Sequence, residues 1–301
     1  MMEVVKLDFV VLGGQKCGST FLQSILEIHP EIEMLPGETA SLEDPDYLNG
    51  GKEKLVNMLR EKNRSKIIGL KRPNYLTKPE VLPRLIELNP NVKLIVILRN
   101  PFDRLRSAYF HYLNMGFIPV KPINIGLANI LAGKLQKEYP RSEEILEFGL
   151  YHKHLENYLR YFGDNIKIFL MDDLKSKQNQ VISECYKFLG IDDMYMPPQK
   201  ILKGRPQKVN YSLFRARVTR LMNPIRYKYW NNHTRIDRKK LYLHTAIIVI
   251  LIRTIDVLLS KVIANNKPQF SRQLYSDLAS FYSADIEHLA SLINRDLSEW
   301  K

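Results

Sequence analysis

The chain is 301 residues long, 45% apolar, and carries a formal net charge of +13. That is enough apolar length to bury a full core, which excludes a chain without a packed interior, although length alone allows two domains. Two cysteines, Cys17 and Cys185, exclude a disulfide framework and suit a reducing compartment, while the charge calls for an anionic partner.

Met1 to Lys6 carry no long apolar signal region, so neither secretion nor an N-terminal anchor is expected, and the location expected is cytoplasmic. The apolar run Phe9-Val10-Val11-Leu12 predicts a strand. It leads into Gly13-Gly14-Gln15-Lys16-Cys17-Gly18-Ser19-Thr20, a glycine-rich turn between strand and helix. Glycines let the backbone approach an anion closely, successive N–H groups point inward, and the following helix N-terminus adds a favourable partial charge. Lys16 adds a full charge, and Ser19 and Thr20 add hydroxyl donors. The order differs from that of a nucleotide triphosphatase loop, because Lys16 precedes Gly18 and no hydroxyl follows the lysine directly.

A second strand is predicted near residues 66–71 and a third near 92–98, where Val92 to Leu98 reads as a strand buried on both faces. Arg99 ends that strand, Pro101 opens a helix, and Ser107 follows within it. A guanidinium and a hydroxyl thus come near the crevice where open α/β sheets bind ligands. Residues 115–146, with Gly116, Pro119, Pro122, Gly126 and Gly133, predict a loop-rich insertion over the active site. His152 and His154, two apart on a predicted helix, do not share a face, so no metal site is expected there. A fourth strand is predicted near 166–171, followed by Asp172 and Asp173.

Lys200 to Lys240 holds thirteen Lys and Arg against one acid, Asp237. Directly after it, Leu241 to Ile252 is apolar, with Arg253 and Asp256 interrupting before Val257-Leu258-Leu259. The uninterrupted run is too short to span a bilayer, so a core helix is the default. The basic stretch is read first as closing over a phosphorylated nucleotide and capturing an acidic acceptor, and in the alternative as peripheral contact of residues 200–260 with an anionic membrane surface. No RNA- or DNA-binding module accompanies the charges, and no nucleic-acid partner is expected. From Ser271 onward, Leu274, Leu278, Phe281, Tyr282, Ile286, Leu289 and Ile293 predict two amphipathic helices packed on the core. The alternation of strand and helix predicts one α/β domain over 1–301: a P-loop-like nucleotide-binding fold, a parallel sheet of about four or five strands, and a helical C-terminal part.

The pairing of Gly13-x-x-Lys16-x-Gly18-Ser19-Thr20 with Leu98-Arg99-Asn100-Pro101 and Ser107 resembles the sulfotransferases that use 3′-phosphoadenosine 5′-phosphosulfate (PAPS), nearest to bacterial and carbohydrate (heparan-sulfate-type) members. Gly69-Leu70-Lys71-Arg72-Pro73-Asn74-Tyr75 is similar to that family's Lys-Ser-Pro-x-Tyr element, with Arg72 in place of the serine. Lys203-Gly204-Arg205 is similar to a loop that closes over the nucleotide, and Tyr151 to Leu155, Asp172 to Leu174, Phe188 to Gly190 and Arg295 to Trp300 look like bacterial members. Golgi members carry an N-terminal anchor, which is not expected here.

The resemblance implies sulfonyl transfer from PAPS to a hydroxyl or amine, on a carbohydrate or glycoconjugate, releasing 3′-phosphoadenosine 5′-phosphate (PAP) without a metal. Gly14, Gln15, Lys16, Cys17, Gly18, Ser19 and Thr20 would hold the 5′-phosphosulfate. Arg99 and Ser107, with Lys203, Gly204 and Arg205, would hold the 3′-phosphate. Lys16 and Lys71 would neutralise the leaving group. Glu38, which follows His29-Pro30-Glu31-Ile32, would be the general base, with Glu43 and Asp44 as alternatives on the same loop. Gly37 stands where the subgroup has lysine. The competing readings are a nucleotide-binding protein without transfer activity and a Mg-dependent small-molecule kinase with Asp172 or Asp173 on the metal.

Overall fold

A computed structural model describes residues 7–204, 209–230 and 233–300. The apolar runs form β1 (Phe9–Gly13), β2 (Ile32–Met34), β3 (Ile67–Lys71), β4 (Lys93–Leu98) and β5 (Ile166–Leu170), which pair in parallel in the order β2-β3-β1-β4-β5. The longer helices, in chain order, are α1 (Ser19–Leu26), α2 (Gly51–Arg60), α3 (Val81–Leu88), α4 (Pro101–Met115), α5 (Ile123–Leu131), α6 (Tyr151–Phe162), α7 (Gln178–Leu189), α8 (Leu213–Arg220), α9 (Leu243–Val262) and α10 (Arg272–Leu292). The described residues separate into two compact units, one drawn from 7–100, 151–204 and 285–297, the other from 101–150, 209–230, 233–284 and 298–300.

In the first unit β1 is the central strand, and all five of its residues are buried. A strand covered on both faces needs apolar side chains throughout, which is why β1 and β4 read as continuous runs. Phe9 pairs in register with Gly69 of β3, and a Cβ at Gly69 would lie 2.1 Å from the Phe9 ring, so only glycine admits that ring there. Leu22, Ile25 and Leu26 of α1, Leu155 and Tyr158 of α6, and Val181, Ile182 and Cys185 of α7 supply the rest of the core. The four strands expected near 7–12, 66–71, 92–98 and 166–171 are present. β2 is a three-residue strand that the sequence pattern does not announce. Strand order reverses direction between β1 and β4, which places the topological switch point at the ends of those two strands.

The second unit is built on α4. Arg104 of that helix is fully buried and donates to the carbonyls of Ile145 and Glu144. Tyr282 of α10 donates to Leu146 O at 2.9 Å, and Arg106 to Pro268 O at 3.0 Å. Residues 115–146 are less loop-rich than their turn residues predict, since α5 forms within them; Tyr109 ties its entry by donating to Lys121 O at 2.7 Å. The tail forms one continuous helix, α10, where two are expected: Leu274, Leu278, Tyr282, Ile286 and Leu289 recur on one buried stripe without a break. A larger departure concerns α9. The expected core helix is a 20-residue helix that packs only a narrow stripe, with Val249 buried, and leaves Leu243, Ile247, Ile250, Leu251 and Leu258 exposed. Its burial partner is α8, to which it is tied by Arg215 and Asp256 at 2.8 and 3.0 Å.

Candidate active site

The loop after β1 is fixed to the end of β4 from below. Gly14 donates its N–H to Ile97 O at 2.7 Å, and the Cys17 thiol lies 3.4 Å from the Tyr151 hydroxyl, which itself donates to Arg99 O at 2.8 Å. Cys17 is therefore a buried packing residue of the loop, as a small side chain there must be. Gln15 is buried and donates to Asn74 Oδ1 at 3.2 Å, which joins the loop to the segment after β3. Lys16 has φ of 66°, and Gly18, at 97°, occupies the N-cap of α1. A left-handed N-cap strains any side chain but glycine's, and it turns the chain so that Ser19 and Thr20 open the helix with their N–H groups free of intrahelical partners. Such a turn presents donors to an anion at the positive end of a helix dipole.

Lys71, the last residue of β3, brings the second cation to this loop. Its side chain is only 4% exposed, donates to Thr20 Oγ1 at 3.2 Å and meets Glu38 Oε1 at 2.7 Å. Of the three carboxylates weighed as a base, Glu38 alone faces this lysine while keeping 41% of its side chain exposed. Glu43 is buried and holds Arg72 through two hydrogen bonds, the one to Nη2 being 2.7 Å long, and Asp44 pairs with Arg84 at 2.9 Å. Burial alone would pull the Arg72 guanidinium down, but the Glu43 hydrogen bonds and the charges of Glu43 and Glu38 outweigh it and hold the group above its ordinary value. Arg72 Nη1 also lies 3.8 Å from Glu38 Oε2. The arginine that replaces the resembled serine thus anchors one carboxylate and flanks another.

Glu43→Gln should lower unfolding stability by about 2–3 kcal/mol, because it leaves a largely buried guanidinium facing a neutral amide. Denaturant titration would measure it, and an unchanged midpoint would show that the pair is dispensable.

Arg99 directly follows β4 and is half-buried, at the switch point beside the loop. Ser107 is buried on α4 in the second unit. Lys203 is exposed, and a Cβ on Gly204 would lie 3.3 Å from the Phe21 ring of α1, so the Lys203–Gly204 turn sits against the helix that the glycine-rich loop opens. Arg205 lies outside the described residues. Asp172 and Asp173 take no place in this cluster; Asp172 pairs with Lys175 at 2.9 Å and Asp173 with Arg295 at 2.9 Å. Among the described residues no group of three or more His, Cys, Asp and Glu is placed to hold a metal ion.

Two elements of the site escape sequence reasoning: the Tyr151 strut and the Arg72–Glu43 clamp. Their partners lie 134 and 29 residues apart, and no local period links them. The donor set as a whole, a glycine loop at a helix N-terminus with Lys16, Lys71 and Arg99 around it, fits the phosphate and sulfonate oxygens of PAPS.

Comparison with known proteins bears on the same region. Residues 6–210 match the family model described as the sulfotransferase domain. The chain is 27% identical over 210 residues to the bifunctional heparan sulfate N-deacetylase/N-sulfotransferase 1 of Caenorhabditis briggsae, covering 67% of this chain and 24% of that protein. It is 25% identical over 189 residues to human heparan sulfate glucosamine 3-O-sulfotransferase 3B1, covering 60% of this chain and 45% of the relative. The chain thus spans about a quarter to under half of the length of these relatives. Among solved structures, a sulfotransferase from Alicyclobacillus acidocaldarius is 20% identical, with a TM-score of 0.67 and 99% of each chain covered, a likeness of fold.

Proposed function

Because this chain belongs to the sulfotransferase domain family, we propose that it transfers the sulfonyl group of PAPS to a hydroxyl or amine of a carbohydrate or glycoconjugate. PAPS supplies an activated sulfonyl group on a good leaving group. The carrying observation is the chain of contacts from Thr20 Oγ1 to Lys71 Nζ to Glu38 Oε1, at 3.2 and 2.7 Å. It sets an exposed carboxylate beside a buried cation at the mouth of the phosphate loop.

In this reading Glu38 takes the acceptor proton as the acceptor oxygen or nitrogen bonds to sulfur. The bond from sulfur to the 5′-phosphate oxygen breaks with its electron pair, and PAP departs with the added charge. Lys16 and Lys71 balance that charge, and the backbone N–H groups of Gly18, Ser19 and Thr20, where α1 opens, hold the phosphosulfate in line. Arg99, with Lys203 and Gly204 of the same unit, holds the 3′-phosphate. The similarity to heparan sulfate sulfotransferases supports a sugar acceptor, and a hydroxyl or amine both fit a carboxylate base. We extend the reading to a cytoplasmic location, supported by two free, buried cysteines. The kinase reading is disfavoured because Asp172 and Asp173 each engage a cation of the protein instead of converging on a metal position.

Calorimetric titration with PAP, against AMP and ATP–Mg²⁺, tests the proposal. Tight binding that requires the 3′-phosphate is expected, and Arg99→Ala should weaken it about tenfold or more through loss of a charge-assisted contact. A preference for ATP–Mg²⁺ would overturn the sulfotransferase reading.

A further inference from the structure

The helix α9 is long and apolar enough to cross a membrane by length and composition, with mean hydropathy 1.9, yet only 6% of it is buried. Its outward face carries Leu243, Ile247, Ile250, Leu251 and Leu258, each at least 50% exposed. An apolar face of this size, interrupted at Thr254, whose hydroxyl donates to Ile250 O, is unusual on a protein surface and marks a place where something apolar docks.

Two observations decide the occupant and its geometry. The first is charge. Among the described residues of the segment that leads into α9, Arg217, Lys228, Arg238, Lys239 and Lys240 are exposed, and Asp237, the one acid between Lys200 and Lys240, is engaged by Arg235 and Trp230. Exposed Trp230 and Tyr242 stand among these cations. Cations and amphipathic aromatic rings beside an apolar helix suit the headgroup layer of an anionic bilayer, whereas an apolar protein partner would leave the cations unmatched.

The second is the way both ends of α9 are held. Past its C-terminal end, Asn265 accepts from the Tyr211 N–H at 2.7 Å and donates to Val209 O at 2.8 Å, both just before α8. Before its N-terminal end, the Lys239 N–H donates to Arg226 O and its ammonium to Pro224 O, both just after α8. Arg215 of α8 pairs with Asp256 in the second half of α9. The two ends thus return to one basic body, and a crossing would drag α8 with Arg215, Arg217 and Arg220 into hydrocarbon, which is strongly unfavourable.

We propose that α9 lies in the plane of an anionic membrane, its outward apolar face sunk below the headgroups and the flanking cations on the lipid phosphates. The Arg215–Asp256 pair keeps the helix's acid on the protein side. The surface belongs wholly to the second unit, outside the glycine-loop site, and the inference stands whichever reaction that site performs.

Flotation of the full chain with vesicles of phosphatidylcholine, with and without phosphatidylglycerol, tests this. The protein should float with phosphatidylglycerol-containing vesicles, and Ile247→Glu/Leu251→Glu should cut that binding by about tenfold or more while PAP affinity stays unchanged. Wild-type protein that ignores such vesicles at low salt overturns the proposal, as does a double variant that floats undiminished. A wild-type dimer that becomes monomeric in the double variant, with no vesicle binding by either, would assign the face to a second copy of the chain and overturn it too. Orientation is read by single cysteines at Lys240→Cys and Asn266→Cys, since Cys17 and Cys185 are buried. In sealed membrane vesicles from expressing cells, an impermeant maleimide should reach both positions or neither until lysis; opposite accessibility means a span and refutes in-plane seating.

Discussion

Lys71→Ala is expected to lower kcat by about 10²- to 10³-fold, the loss typical of removing one charge-stabilising donor from a shielded site. The surroundings of this lysine leave its ammonium little freedom. The Lys71 side chain is 4% exposed, ends the strand beside the central one, and divides its ammonium between Thr20 of the phosphate loop and Glu38. Burying an ammonium is costly unless it is paired and hydrogen-bonded, so its position implies a use that repays the cost. If that use is to neutralise charge on the departing phosphate, saturated turnover should collapse while PAP affinity falls far less. Stability must be measured alongside, because the substitution also removes the ion-pair partner of Glu38. A well-folded Lys71→Ala protein with more than a tenth of the wild-type kcat would remove Lys71 from the chemistry.

Glu38→Gln should lower kcat by about 10²- to 10⁴-fold, the range that general-base catalysis supplies. The amide keeps the shape and one acceptor oxygen for Lys71 but takes up no proton at neutral pH. Affinity for PAP should hold or tighten slightly, because a negative charge leaves the neighbourhood of the phosphate loop. A well-folded Glu38→Gln protein that keeps more than a tenth of the wild-type kcat would transfer the role to another carboxylate. Glu43→Gln serves as the control, since its carboxylate is spent on Arg72 and its loss should appear in stability before chemistry.

The sheet and the phosphate loop were readable because each is a local pattern. Val92 to Leu98 is apolar without alternation, a pattern that a strand covered on both faces requires. Glycine at 18, before Ser19, announces a turn that other residues resist. What stayed hidden depends on distance along the chain. Ile32-Glu33-Met34 is too short to show a period, and it becomes a strand because β3 offers it an edge. Arg72 reads as a departure from a motif until its guanidinium is seen on Glu43. In α9 the sequence is legible but ambiguous, since an apolar 20-residue helix has the same composition whether protein or lipid covers it, and only the exposure of its outward face separates the two.

The Lys71, Arg72, Glu38 and Glu43 side chains form an electroneutral quartet, two charges of each sign, held by the contacts of 2.7 Å from Lys71 to Glu38 and from Arg72 to Glu43. In the proposed reaction a proton arriving on Glu38 unbalances it and leaves one positive charge in excess. That surplus arises beside the phosphate loop just as the leaving phosphate gains its negative charge. Acceptor activation and leaving-group stabilisation would then be one electrostatic event, timed by a single proton.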